Sequence, residues 1–127
     1  MKYILALIAA LVFSSPAHAQ HAHGAQKGPN GGQMEDVAGV HAELLTSGNT
    51  ITINIFDEGN KPVATKGYSA SALVVSGTER ETVTLAPSGE NALKAETKKP
   101  IAGAAAITIT LRTASGKSGQ ARFKPKG

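Results

Sequence analysis

Soft and borderline metal donors gather at one end of this chain of 127 residues: His21, His23, Met34, His41 and Glu43. Imidazole nitrogen suits copper, zinc and nickel, and a thioether selects Cu(I). His41 and Glu43 stand two apart, so on a strand they project from one face, where they could share an ion or a hydrogen bond. Two ligands make half a site. Met34 would complete it for Cu(I), whereas Glu35 and Asp36 would suit a harder ion. His21-Ala22-His23 offers two further imidazoles in a glycine- and glutamine-rich segment. A plainer reading runs beside this one: the paired histidines decorate a polar leader, and Glu43 only satisfies His41 or a strand-end amide at the surface.

Nucleophilic catalysis has no footing here. The chain holds no cysteine, one histidine outside its N-terminal stretch and no serine, histidine and aspartate in a usable order, so a nucleophile with an identifiable base is missing. The expectation is a protein that is not an enzyme.

The donors must be placed by the elements around them, and the first of these is a leader. Lys2 precedes an apolar run from Tyr3 to Phe13, broken by Ser14-Ser15-Pro16 before Ala17-His18-Ala19, the pattern of a signal peptide over residues 1–19. That run falls short of the roughly 20 residues a spanning helix needs. The mature chain, starting at Gln20, is expected to be soluble, exported and periplasmic, with no membrane anchor. Cleavage removes 19 residues and leaves 108, enough for one domain with a modest core. With no cysteine, that core must hold by packing alone.

Residues 20–32 lack hydrophobic period and read as a flexible arm. Within them Gly28-Pro29-Asn30-Gly31-Gly32 lacks the lysine and following helix of a phosphate-binding loop, so it reads as a special turn into the first strand. From residue 33 to 127 the pattern changes to short apolar–polar alternations separated by Gly, Asn, Ser and Pro. A Gly48-Asn49 turn between Val40 to Ser47 and Thr50 to Asp57 sets Ser47 opposite Thr50 and Leu44 opposite Ile53. Ala42, Leu44, Ile51, Ile53 and Ile55 then share one face, and His41 and Glu43 the other. Further strands are expected at Gln33 to Val37, Tyr68 to Val75, Glu81 to Ala86, Ala92 to Thr97, Ala105 to Thr113 and Ser118 to Phe123, with Pro87-Ser88-Gly89 ending one of them. The predicted fold is all-β: a single sandwich of about seven or eight antiparallel strands, immunoglobulin- or fibronectin-like, with a small β-barrel as the alternative.

Charge narrows the partners. Lys and Arg number 13 against 9 acidic residues, a mild excess spread along the chain. After cleavage only Phe56, Tyr68 and Phe123 are aromatic, too few rings for a base-stacking platform, which argues against nucleic acid.

GPNGG at Gly28 to Gly32, His41-Ala42-Glu43-Leu44, Asp57-x-Gly59-x-Lys61-Pro62 and a closing Ala121-Arg122-Phe123 together resemble a group of small exported proteobacterial proteins, over nearly the whole mature chain. From about Gly28 to Pro62 the chain is also similar to the N-terminal segment of periplasmic adaptor subunits of heavy-metal RND efflux systems. The resemblance implies a periplasmic β-domain with a metal-handling role, with His41 and Glu43 where the shared motif has them. The relatives often place histidine directly before the Gly-Pro; Lys27 stands there in this chain. An adaptor's helical hairpin and lipoyl parts are absent from this sequence. Two functional expectations follow: binding of a transition-metal ion, copper before zinc or nickel, as an accessory to metal tolerance or trafficking; or a non-enzymatic module that contacts another envelope protein, its histidines incidental.

Overall fold

The computed structural model describes residues 26–124, which form nine antiparallel strands and no helix. They are β1 (Gln26–Lys27), β2 (Gln33–Val37), β3 (Val40–Ser47), β4 (Thr50–Phe56), β5 (Ser69–Ser76), β6 (Glu79–Ser88), β7 (Ala92–Glu96), β8 (Ala106–Arg112) and β9 (Ser118–Phe123). The signal peptide, His21 and His23 lie outside the described residues.

Period-two alternation drives most of these strands. In β8, Ile107, Ile109 and Leu111 are fully buried while Thr108 and Thr110 turn outward. The β3–β4 hairpin has the expected register, with Ser47 opposite Thr50, Leu44 opposite Ile53 and Ala42 opposite Ile55. Gly48, at φ +57°, supplies the positive φ that a tight hairpin turn needs at its first central position. β2 and β3 are joined just as tightly, through Ala38 and Gly39 at φ +52° and +82°. That turn makes Asp36 the cross-strand partner of His41, and Met34 the partner of Glu43.

The strands are hydrogen-bonded in the order β1-β2-β3-β4-β7-β6-β5-β8-β9, one continuous curled sheet. β6 makes the corner: residues up to Leu85 pair with β5, and Ala86, Pro87 and Ser88 pair with β7. The strand therefore runs through the proline expected to end it. Pro87 is tolerated because β6 has only one ladder partner there, so a missing N–H breaks no second ladder. At the opposite seam β9 packs against β2, bridged by the Lys124 N–H donating to Gln33 Oε1 at 3.0 Å. Between the two architectures that the strand spacing allows, this curled half-barrel fits the barrel-like one.

A single core fills the concave side, built on Ile51, Ile53, Ile55, Leu85, Leu93, Ile107, Ile109, Leu111 and Phe123. Each of these side chains removes roughly 1.5–3 kcal/mol worth of apolar surface from water. Their removal to one side leaves the convex face of each strand free to carry chemistry.

Candidate metal-binding face

On the convex face of β2, β3 and β4 the ladder sets two rows side by side. One reads Asp36, His41, Phe56; the next reads Met34, Glu43, Asn54. β1 extends the second row, because Gln26 pairs with Met34. Directly opposed residues on such rows have Cβ atoms about 4.5–5.5 Å apart, and diagonal neighbours such as Met34 and His41 lie about 7–8 Å apart.

Glu43 belongs to the loop rather than to the surface. It is fully buried, although its face is the convex one. Its lid is the segment 28–32, which leaves β1, folds back over β3 and enters β2. Asn30 N–H and Gly32 N–H donate to Glu43 Oε2 at 2.8 and 3.0 Å, and the Asn30 side-chain amide donates to Oε1 at 2.8 Å. The loop also closes on itself: Gly31 N–H donates to the Gly28 carbonyl at 3.0 Å, and Gly28 N–H to the Gly32 carbonyl at 2.7 Å. Pro29 takes the second position of this turn and Gly31 the fourth, the places those residues favour. Close approach explains two of the glycines. A Cβ at Gly28 would overlap the Glu43 carboxyl, and one at Gly32 would overlap the Leu44 carbonyl oxygen.

Residues 26–32 are thus part of the folded body, which corrects the expectation of a flexible arm extending to residue 32. They are held because a buried carboxylate costs several kcal/mol unless its oxygens are bonded, and these N–H groups supply the bonds. Charge-assisted bonds of this kind are roughly twice as strong as neutral ones. The sequence left Glu43 either sharing an ion or a hydrogen bond with His41 or satisfying His41 or a strand-end amide at the surface; its observed partners are the N–H groups of the loop. With both oxygens occupied it would have to give up the loop to ligate a metal.

His41 is left differently. Its Nδ1 faces Asp36 Oδ1, its side chain is 23% exposed, and Asp36 is 66% exposed. A carboxylate against Nδ1 takes the proton of the neutral ring as its donor, leaving the lone pair on Nε2. Among the described residues nothing hydrogen-bonds Nε2. This carboxylate–imidazole pair has the outer-shell form that metal-ligating histidines commonly show, in which the partner fixes the tautomer and ring orientation. Met34 is half-buried on the same face, one strand away. Glu35 turns to the other side, where Gln33 Nε2–H donates to it at 2.9 Å. No group of three or more His, Cys, Asp or Glu side chains forms a metal cluster among the described residues.

Two clefts lie away from this face. One, of about 360 Å³, opens between Val74, Glu79, Glu81 and the segment 97–102. Lys99 Nζ donates to Glu79 at 2.9 Å and the Lys98 backbone N–H to Glu81 at 2.8 Å, and Arg80 borders the same cleft. The Glu79 carboxylate raises the Lys99 ammonium above its ordinary value, by its hydrogen bond first and its charge second. The other, of about 590 Å³, is lined by Pro62, Val63 and Pro87 together with Lys66, Glu90 and Asn91.

Sequence reasoning picked out His41 and Met34 and named Asp36 as one option among three. It did not see Asn30 or Gly32 as partners of Glu43, since nothing local ties residues 11 to 13 positions apart. No family model, curated protein or solved structure matches this chain, so the functional reading rests on this arrangement of side chains.

Proposed function

We propose that the chain is an exported, periplasmic, non-enzymatic protein that binds a transition-metal ion, copper before zinc or nickel, as an accessory to metal tolerance or trafficking. The observation that carries this reading is the Asp36–His41 pair, which leaves Nε2 of a partly exposed imidazole without a hydrogen-bond partner among the described residues. Met34 on the adjacent strand adds a soft donor. With Glu43 held by the loop, the set left on this face is imidazole and thioether, a combination that favours Cu(I). His23 and His21, which lie outside the described residues, would supply the remaining ligands.

The resemblance to small exported proteins and efflux adaptors is in keeping with this. In the fold its first two segments, GPNGG and HAEL, are one unit, the loop and the carboxylate it grips, with His41 at the open end. We read the architecture as the small barrel rather than the immunoglobulin-like sandwich, because β6 is shared by both halves of the sheet.

The test is a titration of the mature protein with Cu(I), Cu(II) and Zn(II), following the imidazole nitrogens by NMR. Cu(I) should move Nε2 of His41 with little effect on Nδ1. Unchanged imidazole signals at tenfold excess metal would remove the metal reading in favour of the envelope-interaction module.

A further inference from the structure

The sequence has three arginines, Arg80, Arg112 and Arg122, and the fold sets all three on one surface. In β6, Leu85 points into the core, so Glu79, Glu81 and Val83 share its side while Arg80, Thr82 and Thr84 face out. In β8, Arg112 alternates with buried Leu111, and in β9 Arg122 lies between buried Ala121 and Phe123. The ladder lines these outward positions up across β6, β5, β8 and β9. Thr84, Ser71, Thr110 and Gln120 form one row. Arg122 ends the row that begins at Thr82, and Arg112 lies opposite Ser69 and Ser118. All three arginines are exposed, and none forms an ion pair with an acidic side chain among the described residues.

No acidic residue of β5, β8 or β9 stands on this surface. On β6 Glu79 and Glu81 alternate to the other side, although Arg80, at the end of the strand, borders the cleft of about 360 Å³ together with them. Three unbalanced positive charges on one sheet face account for most of the +4 formal charge of the whole chain, so the remainder is close to neutral. The lysines are spread over loops and the other strands, apart from Lys124, which follows β9.

We propose that this convex face of β6, β5, β8 and β9 binds an extended anionic polysaccharide bearing carboxylates. Strand spacing of about 4.8 Å and a rise of about 3.3 Å per residue put the three arginine Cα atoms roughly 14 to 22 Å apart. No single small anion bridges such distances; a chain of repeating acidic sugars meets all three. Arginine is the cation whose planar fork takes a carboxylate bidentately. The hydroxyls of Thr82, Thr84, Ser71, Thr108 and Thr110, beside the outward Leu73 and Val75 of β5, both donate and accept, as sugar hydroxyls require. Among the described residues this convex face has no aromatic ring on which nucleic-acid bases could stack.

The experiment is an NMR titration of the mature protein with polygalacturonate oligosaccharides, at low and at physiological salt, beside neutral dextran and phosphatidylglycerol vesicles. Shifts should be confined to Thr82, Thr84, Ser71, Thr108 and Thr110 and the arginines, and should weaken with salt as exposed charge interactions do. Dextran should leave the spectrum unchanged. The triple variant Arg80→Gln, Arg112→Gln, Arg122→Gln should lose at least tenfold in affinity at an unchanged melting temperature. A Lys27→Gln, Lys61→Gln variant, altered outside β6, β5, β8 and β9, should bind as the parent does. Absent binding, binding that survives the triple replacement, equal loss in the lysine variant, or preference for the vesicles would each overturn the proposal. Because none of these residues touches His41, the outcome is independent of the metal reading.

Discussion

Two adjacent rows on the convex side of β3 use the same chemistry to opposite ends. Both join a carboxylate to nitrogen. In the row of Glu43 the carboxylate is sealed under the loop 28–32 and receives three N–H donors. In the row of His41 the carboxylate of Asp36 is open to water and holds an imidazole whose other nitrogen has no hydrogen-bond partner among the described residues. Two residues along one strand separate them. Residue type and spacing therefore do not decide whether an acid–imidazole pair is a ligand set; what covers each member does. A covered carboxylate becomes a fastener, and an uncovered one orients an imidazole.

The comparison breaks most visibly at the sealed row. Glu43→Ala would leave the Asn30 and Gly32 N–H groups without an acceptor, at about 1–3 kcal/mol for each unsatisfied group. We expect a loss of about 3 kcal/mol in urea denaturation, with exposure of the 28–32 loop in amide exchange. Gly32→Ala comes next. Its Cβ meets a backbone carbonyl, which cannot swing aside as a side chain can, so a loss of about 2 kcal/mol is expected from overpacking. Either variant at parent stability would mean that the loop is not fastened by this carboxylate.

The open row should respond in affinity and hardly in stability. Asp36→Asn keeps the shape but weakens the orienting partner of His41, and outer-shell changes of this kind typically cost ~10–100-fold in metal affinity. We expect at least a tenfold loss for Cu(I), measured by competition with a chromophoric chelator, with a melting temperature close to that of the parent. The smallest effect is at the turn that pairs Asp36 with His41. Ala38 sits at φ +52°, a region that costs an L-residue roughly 1–2 kcal/mol. Ala38→Gly should therefore stabilise the chain slightly, by about 0.5 kcal/mol once the freer unfolded chain is counted.

Much of the strand pattern could be read ahead of the structure, for physical reasons. The isoleucines of β4 and β8 alternate strictly, and Gly48-Asn49 offers a turn whose register keeps both faces consistent. β9 and β2 have the bounds their alternation suggests. The corner in β6 was hidden because Pro87 is a local stop signal, and only its place beside a single partner strand makes it acceptable. The insertion of β7 between β4 and β6 depends on contacts far apart in sequence. The burial of Glu43 was hidden for a related reason. Its face was read correctly from the hairpin register, but the cover comes from a polar, glycine-rich segment with no hydrophobic period to announce that it packs. The Asp36–His41 pairing was within reach of the sequence because it needs only the neighbouring strand.

The division of labour between Glu43 and His41 is tested most directly by Cu(I) affinity measured side by side in the parent, Glu43→Gln and His41→Ala, at a temperature where circular dichroism shows all three folded. We predict that Glu43→Gln stays within about threefold of the parent while losing stability, and that His41→Ala loses more than tenfold in affinity at little cost in stability. Equal affinity losses in the two variants, or the larger loss in Glu43→Gln, would contradict the account.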